Sequence, residues 1–510
     1  MRSNRLRGCL VVAALFAGTS SASARDNTNE KNDEATAAET NDDKAAPDAA
    51  APERVAQAAD PSQTGSQPTS GPTTPAPPPV MTDEMRKMIA DEVAKGLKPK
   101  AGVSLEFTGY ARAGVGLNAR GGSPVCFGLA GADTKWRLGN ECDYVIEPQF
   151  TGRIATGADG SSWGVVVMPG LYRTWQDITG GQTGGLFSNV PAEFRQVYFF
   201  GENVPQLLNG RIWGGRRYYD RLHLDINDQF LEIEDGDGAG IEEMHVGPGK
   251  LSLAFLMNPN SEANQVANPA ITGGTLGTAN IAKYRLNARF TDIPTVPDGA
   301  LQIWTAYDAA ATSPDQRDPG VVINKPDAFF RFAVYHTLGK ILGGTNLIGL
   351  KTEQGSNHQL YRGTVQEEMF FNNGHTEFDV IGEVRSQRNR ANSSADYATD
   401  NWFSLGARGD TQIQGPFRFL VEAGIDHVAP ATGPSPDLFK ATACLEVSAG
   451  PDSGSRPTFR LFYTHAFWND AAKTSTAGVY AAGQSGTRLS QVYGNSNNGG
   501  TFGLQAEAWW

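Results

Sequence analysis

Along much of the chain, apolar and polar residues alternate one by one. The stretch LEFTGYARAGVGL covers residues 105–117. Its Leu105 and Phe107 fall on one face and Tyr110 on the other. A period of two predicts a β-strand with one apolar face, and roughly ten residues suit a strand that crosses a membrane. The same pattern returns in FRFLVEAGI (417–425), TFRLFYTHAF (458–467) and TFGLQAEAWW (501–510).

The region from residue 100 to 510 repeats this alternation, so its apolar faces need a common environment. In a soluble sandwich they would meet in a core, whereas in an outer-membrane barrel they face lipid and the polar faces line a wet lumen. Long Gly-, Asn-, Asp- and Ser-rich connections and the strand ending at Trp510 favour the barrel. At roughly 20–25 residues per strand and connection, it holds about 16 to 20 strands, and closure leaves no free edge. A secreted sandwich protein is the alternative.

Residues 1–99 lack this pattern and divide into three parts. Residues 1–24 carry arginines, the apolar run CLVVAALFAG and a small-residue end at Ala24, which predict a secretory signal peptide. Residues 25–80 are acidic, rich in Ala and Pro, and too poor in large apolar side chains to fold. Residues 81–99 contain MTDEMRKMIADEVAKGL, whose apolar residues recur at helical spacing. They predict a short helix, either a coiled-coil stub or a transient linker helix.

The composition argues against several classes of function. The net charge is −12 and no basic block occurs, so nucleic acid is a poor partner. No apolar stretch is long enough to form a transmembrane helix. The seven histidines show no metal-ligand spacing and no Ser/His/Asp arrangement stands out. We therefore expect neither an enzyme nor a cofactor.

Two of the four cysteines, Cys126 and Cys142, flank a glycine-rich, charged segment. In an exported chain such a close pair is a disulfide candidate. A metal site would need further ligands nearby, and the segment between the two contains no histidine. We therefore predict a disulfide here.

The alternation places Tyr110 and Trp509 on the inward faces of the first and last strands, which are neighbours in a closed barrel. Two adjacent rings facing water are not required in a plain pore. One face of a sugar ring carries C–H groups that stack on aromatic rings, while its hydroxyls bond to charged groups. The two rings therefore indicate a sugar channel. The alternative is that they fill space against an internal plug or loop.

Several segments resemble the maltoporin family and occur in that family's order from residue 103 to 510. They are FTGYARAGVG (107–116), KWRLGNEC (135–142), WGGRRYYDR (213–221), GAGIE (238–242), GKLSLA (249–254), NNGH (372–375), SRP (455–457) and the terminal AWW. The resemblance implies an 18-stranded, homotrimeric outer-membrane barrel of a Gram-negative bacterium that passes maltose, maltodextrins or other oligosaccharides. It also implies that Cys126 and Cys142 pair and close the first extracellular loop. Cys444 is then expected to be a small buried or lipid-facing residue.

The family's channel contains an aromatic track, the greasy slide, flanked by ionisable residues. By position, the stacking rings fall on Tyr110, Phe187, Phe230 and Trp509. The polar track falls on Arg112, Arg137, Glu147, Arg195, Arg221 and Asp228, with Glu232 and Glu234 as further acceptors. Other ring positions of the family carry Val145, Thr345 and Gly454 here. The track is therefore shortened, and long glucan chains need not be the preferred cargo.

The N-terminal extension is similar to that of sucrose-type porins, which carry a periplasmic helical segment ahead of the barrel. With the shortened track, this makes a sucrose-type or broad-range saccharide porin an alternative. Two further alternatives are a non-specific diffusion porin and a porin-like anchor whose tail binds a periplasmic or cell-wall partner. For each porin alternative we expect the barrel in outer-membrane lipid and the tail in the periplasm.

Overall fold

The computed structural model describes residues 103–174, 193–257, 281–312, 328–389, 398–474 and 489–510. The predicted signal peptide, acidic segment and short helix of residues 1–99 lie outside these ranges, as does Phe187. The described ranges contain eighteen β-strands and two short α-helices, α1 (Asp470–Thr474) and α2 (Leu489–Tyr493). No helix in the described part of the chain is long and apolar enough to cross a membrane.

All eighteen strands belong to one sheet, and strands that follow each other in the chain pair antiparallel. They are β1 (Ser104–Asn118), β2 (Asp143–Thr156), β3 (Ser162–Thr174), β4 (Glu193–Val204), β5 (Gly210–Leu224), β6 (Gln229–Val246), β7 (Gly249–Met257), β8 (Ile281–Pro294), β9 (Gly299–Thr312), β10 (Phe329–Ile341), β11 (Gly344–Gly355), β12 (His358–Phe371), β13 (Thr376–Asn389), β14 (Ala398–Gln414), β15 (Phe417–Ala429), β16 (Asp437–Ser448), β17 (Thr458–Trp468) and β18 (Asn498–Trp509). β1 also pairs with β18, with Tyr110 opposite Trp509, which closes the sheet. The predicted 18-stranded antiparallel barrel is confirmed.

Alternation along the strands gives the barrel an apolar outer face. In β15, Phe417, Phe419 and Val421 are exposed, whereas Arg418 and Glu422, which alternate with them onto the opposite face, are 0% and 1% exposed. The same alternation of exposed and buried residues runs along β16. An apolar outer band around a closed antiparallel barrel is the surface that a transmembrane barrel presents to lipid.

The two ends of the barrel differ in their connections. At the short-turn end they are residues 157–161, 205–209, 247–248, 295–298, 342–343, 372–375, 415–416 and 449–457. β1 begins and β18 ends at this end. The opposite end carries most of the long connections, among them residues 119–142. The short-turn end therefore corresponds to the end that faces the periplasm in outer-membrane barrels.

The inner loop (residues 123–142) folds into the barrel instead of away from it. Cys126 and Cys142 form the predicted disulfide, with a sequence separation of 16. From the inner face of β16, the buried Lys440 Nζ donates a hydrogen bond to the Trp136 carbonyl at 2.7 Å. The loop is therefore held both covalently and by the barrel wall.

The Trp136 ring is 1% exposed and packs closely against two glycines of the barrel wall. Gly406 of β14 and Gly424 of β15 lie opposite each other there, and a β-carbon on either would overlap the ring. Glycine is needed at both positions because the loop approaches the strands so closely. Cys444 lies nearby, buried in the same apolar cluster as the disulfide.

A second segment inside the barrel is the inner hairpin (residues 218–235), formed by the end of β5, a turn and the start of β6. Its Ile226 and Leu231 are 0% and 1% exposed and pack in one apolar cluster with Trp136. The Arg137 N–H donates a hydrogen bond to the Ile226 carbonyl at 3.1 Å. The hairpin and the inner loop therefore support each other.

The inner face of the barrel differs from the open, water-filled lumen that the alternation predicts. Trp402 is 2% exposed and packs in one cluster with residues of the inner loop. Trp304 and Tyr335 are buried in the cluster that contains Ile226. For these three rings, filling space against an internal segment is the interpretation that the structure supports.

Candidate functional site

A closed series of side-chain contacts and one strand pairing, which we call the contact circuit, links the barrel wall to both inner segments. On the wall, Tyr110 of β1 lies opposite Glu147 of β2. Tyr218 of the inner hairpin donates a hydrogen bond from Oη to Glu147 Oε1 at 3.2 Å. The Arg221 guanidinium lies over the Tyr218 ring, 3.4 Å from its centroid, and 5.3 Å from that of Phe230. The circuit thus passes from the wall onto the hairpin.

The next contacts lead from the hairpin to the inner loop. The His223 and Phe230 rings pack with their centroids 4.3 Å apart. His223 Nε2 lies 3.1 Å from Asp228 Oδ1. The other Asp228 oxygen forms an ion pair with Lys135 Nζ at 3.4 Å. Lys135 belongs to the inner loop, so the circuit crosses to that segment.

The inner loop then returns the circuit to the wall. Lys135 Nζ lies 3.3 Å from Glu141, and Glu141 lies 3.4 Å from Arg137 Nε. Arg137 Nη2 donates a hydrogen bond to Tyr110 Oη at 3.1 Å, which closes the circuit. It also pairs with Glu507 of β18 at 2.6 Å, and Tyr110 Oη donates to the same carboxylate at 2.7 Å. Aromatic rings and charged groups therefore share one closed arrangement.

The surroundings of Asp228 strongly lower the pKa of its carboxyl group. Burial alone would raise its pKa, but Lys135, His223 and Arg137 together hold the pKa of Asp228 well below its usual range. The carboxylate is therefore ionised at neutral pH. Its backbone φ of 56° is left-handed, a conformation that Asp and Asn tolerate better than most residues.

Two other predicted polar residues brace the circuit. Arg112 Nε donates a hydrogen bond to Asp143 Oδ1 at 2.8 Å, and Arg112 also pairs with Glu141. Arg195 Nε lies 3.7 Å from Glu147 Oε1. Arg112 and Arg195 thus have carboxylate partners on other elements of the barrel. Across the described ranges, no group of three or more His, Cys, Asp or Glu side chains is arranged to hold a metal ion.

Glu232 and Glu234 have a different role from the one their position predicts. Glu232 accepts hydrogen bonds from Tyr335 Oη at 2.7 Å and from Lys351 Nζ at 3.0 Å, and Glu234 pairs with Arg285. The two glutamates are only 3% and 1% exposed. They therefore fasten the inner hairpin to the wall and do not offer further acceptors to a solute.

Next to the circuit lies the lower cavity, about 490 Å³ in volume, towards the short-turn end. Trp509 and Phe370 contribute aromatic rings to it, and Trp509 is 42% exposed. The Arg456 guanidinium lies over the Trp509 ring, 3.7 Å from its centroid. Gly454 also lines the cavity, and a β-carbon there would meet nothing within 4 Å. Arg137 and Glu507 line it too, so the cavity adjoins the circuit.

The described residues that the sequence predicts for the site come together in the circuit, in its braces or in the lower cavity. They are Tyr110, Phe230, Trp509, Arg112, Arg137, Glu147, Arg195, Arg221 and Asp228. Of the positions without a ring, Val145 pairs with Arg112, Thr345 pairs with Glu368, and Gly454 borders open space. Phe370 supplies a ring that the sequence comparison did not identify.

Sequence reasoning also missed Tyr218, His223 and Lys135. Lys135 stands in KWRLGNEC, which pointed to the segment but not to this side chain. Tyr218 stands in WGGRRYYDR, but the register of β5 and β6 shifts between Tyr218 and Arg221. Alternation cannot be counted across such a bulge, because an extra residue changes which face follows.

The chain is similar to known proteins in sequence and in structure. The family model of the LamB porin matches residues 105–510. Similar solved structures include the outer-membrane expressed OmpT of Vibrio cholerae, with a TM-score of 0.38 and 10% identity, covering 80% of this chain and 98% of that chain. Pseudomonas aeruginosa OccK3 (OpdO) has a TM-score of 0.41 and 9% identity, covering 80% and 96%. The anion-selective porin from Comamonas acidovorans has a TM-score of 0.37 and 11% identity, covering 80% and 100%. Similarities this low say nothing about the solute.

Proposed function

Because the chain belongs to the LamB porin family and is an outer-membrane channel, we propose that its solutes are maltose, maltodextrins or related oligosaccharides. The observation that carries the proposal is the contact circuit, in which Tyr110, Tyr218 and Phe230 stand among ionised side chains. Rings offer stacking surfaces to the C–H faces of a sugar. Guanidinium and carboxylate groups offer donors and acceptors to its hydroxyls.

Transport is passive and saturable under this proposal. Each stacking contact contributes roughly 1 kcal/mol, so a saccharide binds weakly and leaves quickly, as conduction through a channel requires. A saccharide leaving the circuit next meets the lower cavity, where Trp509 and Phe370 face the same space. The channel is proposed to act as a homotrimer, with its tail in the periplasm.

The number of rings bears on which saccharide passes. Val145 pairs with Arg112 and offers no stacking surface, and Gly454 leaves open space in the lower cavity. Phe370 compensates in part. This pattern supports short or varied saccharides over long glucans, so a sucrose-type or broad-range channel is the second form of the proposal.

Ion-current measurements in planar bilayers test the proposal. Maltose, maltotriose and sucrose are added to single channels, and we expect at least one to block the current with saturation. Trp509→Ala should then weaken the block about threefold to tenfold. Trp163→Ala is the matched control, because Trp163 is also 42% exposed but lies on the outer face. A current that no saccharide changes would instead identify a non-specific diffusion porin.

A further inference from the structure

Trp509 presents one covered and one open side to its surroundings. The Arg456 guanidinium carbon lies 3.7 Å from the ring centroid, so it covers one face. The Arg456 side chain is 9% exposed, whereas Trp509 is 42% exposed. Arg456 is itself buried and shields the ring face beneath it from solvent. The exposed part of the Trp509 ring is therefore the part that Arg456 does not cover. Trp509 and Arg456 both line the lower cavity.

Arg456 is fixed from two sides. Its Nη1 donates hydrogen bonds to the Ser453 and Ser455 carbonyls, both at 3.0 Å, which ties it to the turn of residues 449–457. Its Nη2 lies 3.6 Å from Glu507, two residues before Trp509 on β18. The guanidinium is therefore held where it meets the ring.

The surroundings leave room for Trp509 to move if that contact is lost. Gly454 borders open space in the same cavity, with nothing within 4 Å of a β-carbon built on it. The backbone is held on both sides of Trp509, because Trp510 exchanges backbone hydrogen bonds with Gly109, so only the Trp509 side chain is free to turn. A ring without its covering group could turn into this space and lose its orientation.

We propose that Arg456 is a positioning residue that holds the Trp509 ring with its open face towards a saccharide in the lower cavity. The inference rests on the proposed function, since it concerns a saccharide that stacks on Trp509. A cation over an aromatic face is attracted by the ring's quadrupole. Arginine suits this position better than lysine, because its planar group stacks on the ring and still uses its other donors.

Current block by maltotriose tests the proposal in the wild type, Arg456→Ala, Arg456→Lys, Trp509→Ala and the Arg456→Ala/Trp509→Ala double variant. Arg456→Ala should weaken the block about threefold to tenfold. Arg456→Lys should restore part of the affinity, because it keeps the charge but not the flat contact. With Trp509 already absent, removing Arg456 should change the block less than twofold. Open-channel conductance and heat stability show whether each variant has folded.

Each other result overturns the inference. Independent, additive losses in the double variant would mean that Arg456 does not act through Trp509. A wild-type block in Arg456→Ala would mean that the ring needs no support. If Trp509→Ala leaves the block unchanged, the inference fails while the proposed function stands. If maltotriose, maltose and sucrose all leave the wild-type current unchanged, the proposed function fails with it.

Discussion

Tyr218 donates a hydrogen bond to Glu147, although the two residues belong to strands that are not neighbours in the sheet. The bond joins the inner hairpin to β2, and Arg221 stacks on the same tyrosine ring. One side chain therefore connects the barrel wall with the inner hairpin. Loss of this bond should loosen the hairpin without removing any charge.

Tyr218→Phe keeps the ring under Arg221 and removes only the hydroxyl. We expect the free energy of unfolding to fall by about 1 kcal/mol, the usual net value of one hydrogen bond. Chemical denaturation in detergent micelles measures it. Tyr218→Ala also removes the stacking surface and should cost more. Equal losses in the two variants would show that the hydroxyl, and not the ring, accounts for the whole effect.

Gly424→Ala should displace the inner loop, because the new β-carbon would overlap the Trp136 ring. Overpacking of this kind costs about 1–3 kcal/mol, measurable as a lower free energy of unfolding. Gly409→Ala is the matched control, since a β-carbon there lies 3.7 Å from Phe378, an ordinary contact. The control should stay within about 0.5 kcal/mol of the wild type. If both variants lose the same stability, the close contact with Trp136 does not explain the need for glycine at position 424.

Removing the disulfide with Cys126→Ser/Cys142→Ser should lower stability by about 3 kcal/mol, the value for a closed loop of this length. Open-channel conductance should change little, because Lys440 and Glu422 still hold the inner loop through hydrogen bonds. Denaturation and bilayer recordings of the same preparation check both expectations. A large rise in conductance would show that the disulfide alone keeps the loop in place.

Gly454→Trp should add a ring to the lower cavity, where a side chain at this position meets open space. If saccharides stack there, the block of current should become about threefold to tenfold tighter. Gly214→Trp is the control, because Gly214 lies opposite the exposed Phe199 on the outer face. Tightening by both variants alike would rule out a local effect in the cavity.

Asp228 gives a pH dependence with a defined sign. A carboxylate whose pKa is lowered by folding stabilises the protein fully above the unfolded value of about 3.9, and this contribution is lost as pH falls through the folded pKa. The stability difference between the wild type and Asp228→Asn should therefore stay constant from about pH 7 to 5 and shrink below about pH 4. Unfolding at several pH values measures it. A difference that shrinks already between pH 7 and 5 would contradict a lowered pKa.

The strands could be predicted from the sequence because every second residue of a strand faces lipid and must be apolar, while the residues between face the barrel interior. The alternation from residue 105 to 117 lies within β1 (Ser104–Asn118), and that in FRFLVEAGI lies within β15. The exact number of strands needed the family resemblance, since alternation alone allowed about 16 to 20. The alternation of apolar and polar residues was enough to predict that Tyr110 and Trp509 face the inside of the barrel.

The filling of the barrel could not be predicted in this way. Ile226 and Leu231 look like ordinary apolar strand residues, yet they face Trp136 inside the barrel. Gly424 meets Trp136 only because the inner loop folds back onto β15, and no local signal connects positions so far apart in the chain. The prediction that Glu232 is a free acceptor was wrong for the same reason, since its partner Tyr335 lies on a distant strand.

The pairing of β1 with β18 is the seam at which the cylinder is sealed, and the same two strands carry Tyr110, Glu507 and Trp509. A one-residue slip at this seam would turn that strand's inward side chains towards the bilayer. The pairing that closes the barrel therefore also places these three side chains on its inner face. A chain that lacks β18 should therefore lose the closed wall together with the inward side chains of Glu507 and Trp509.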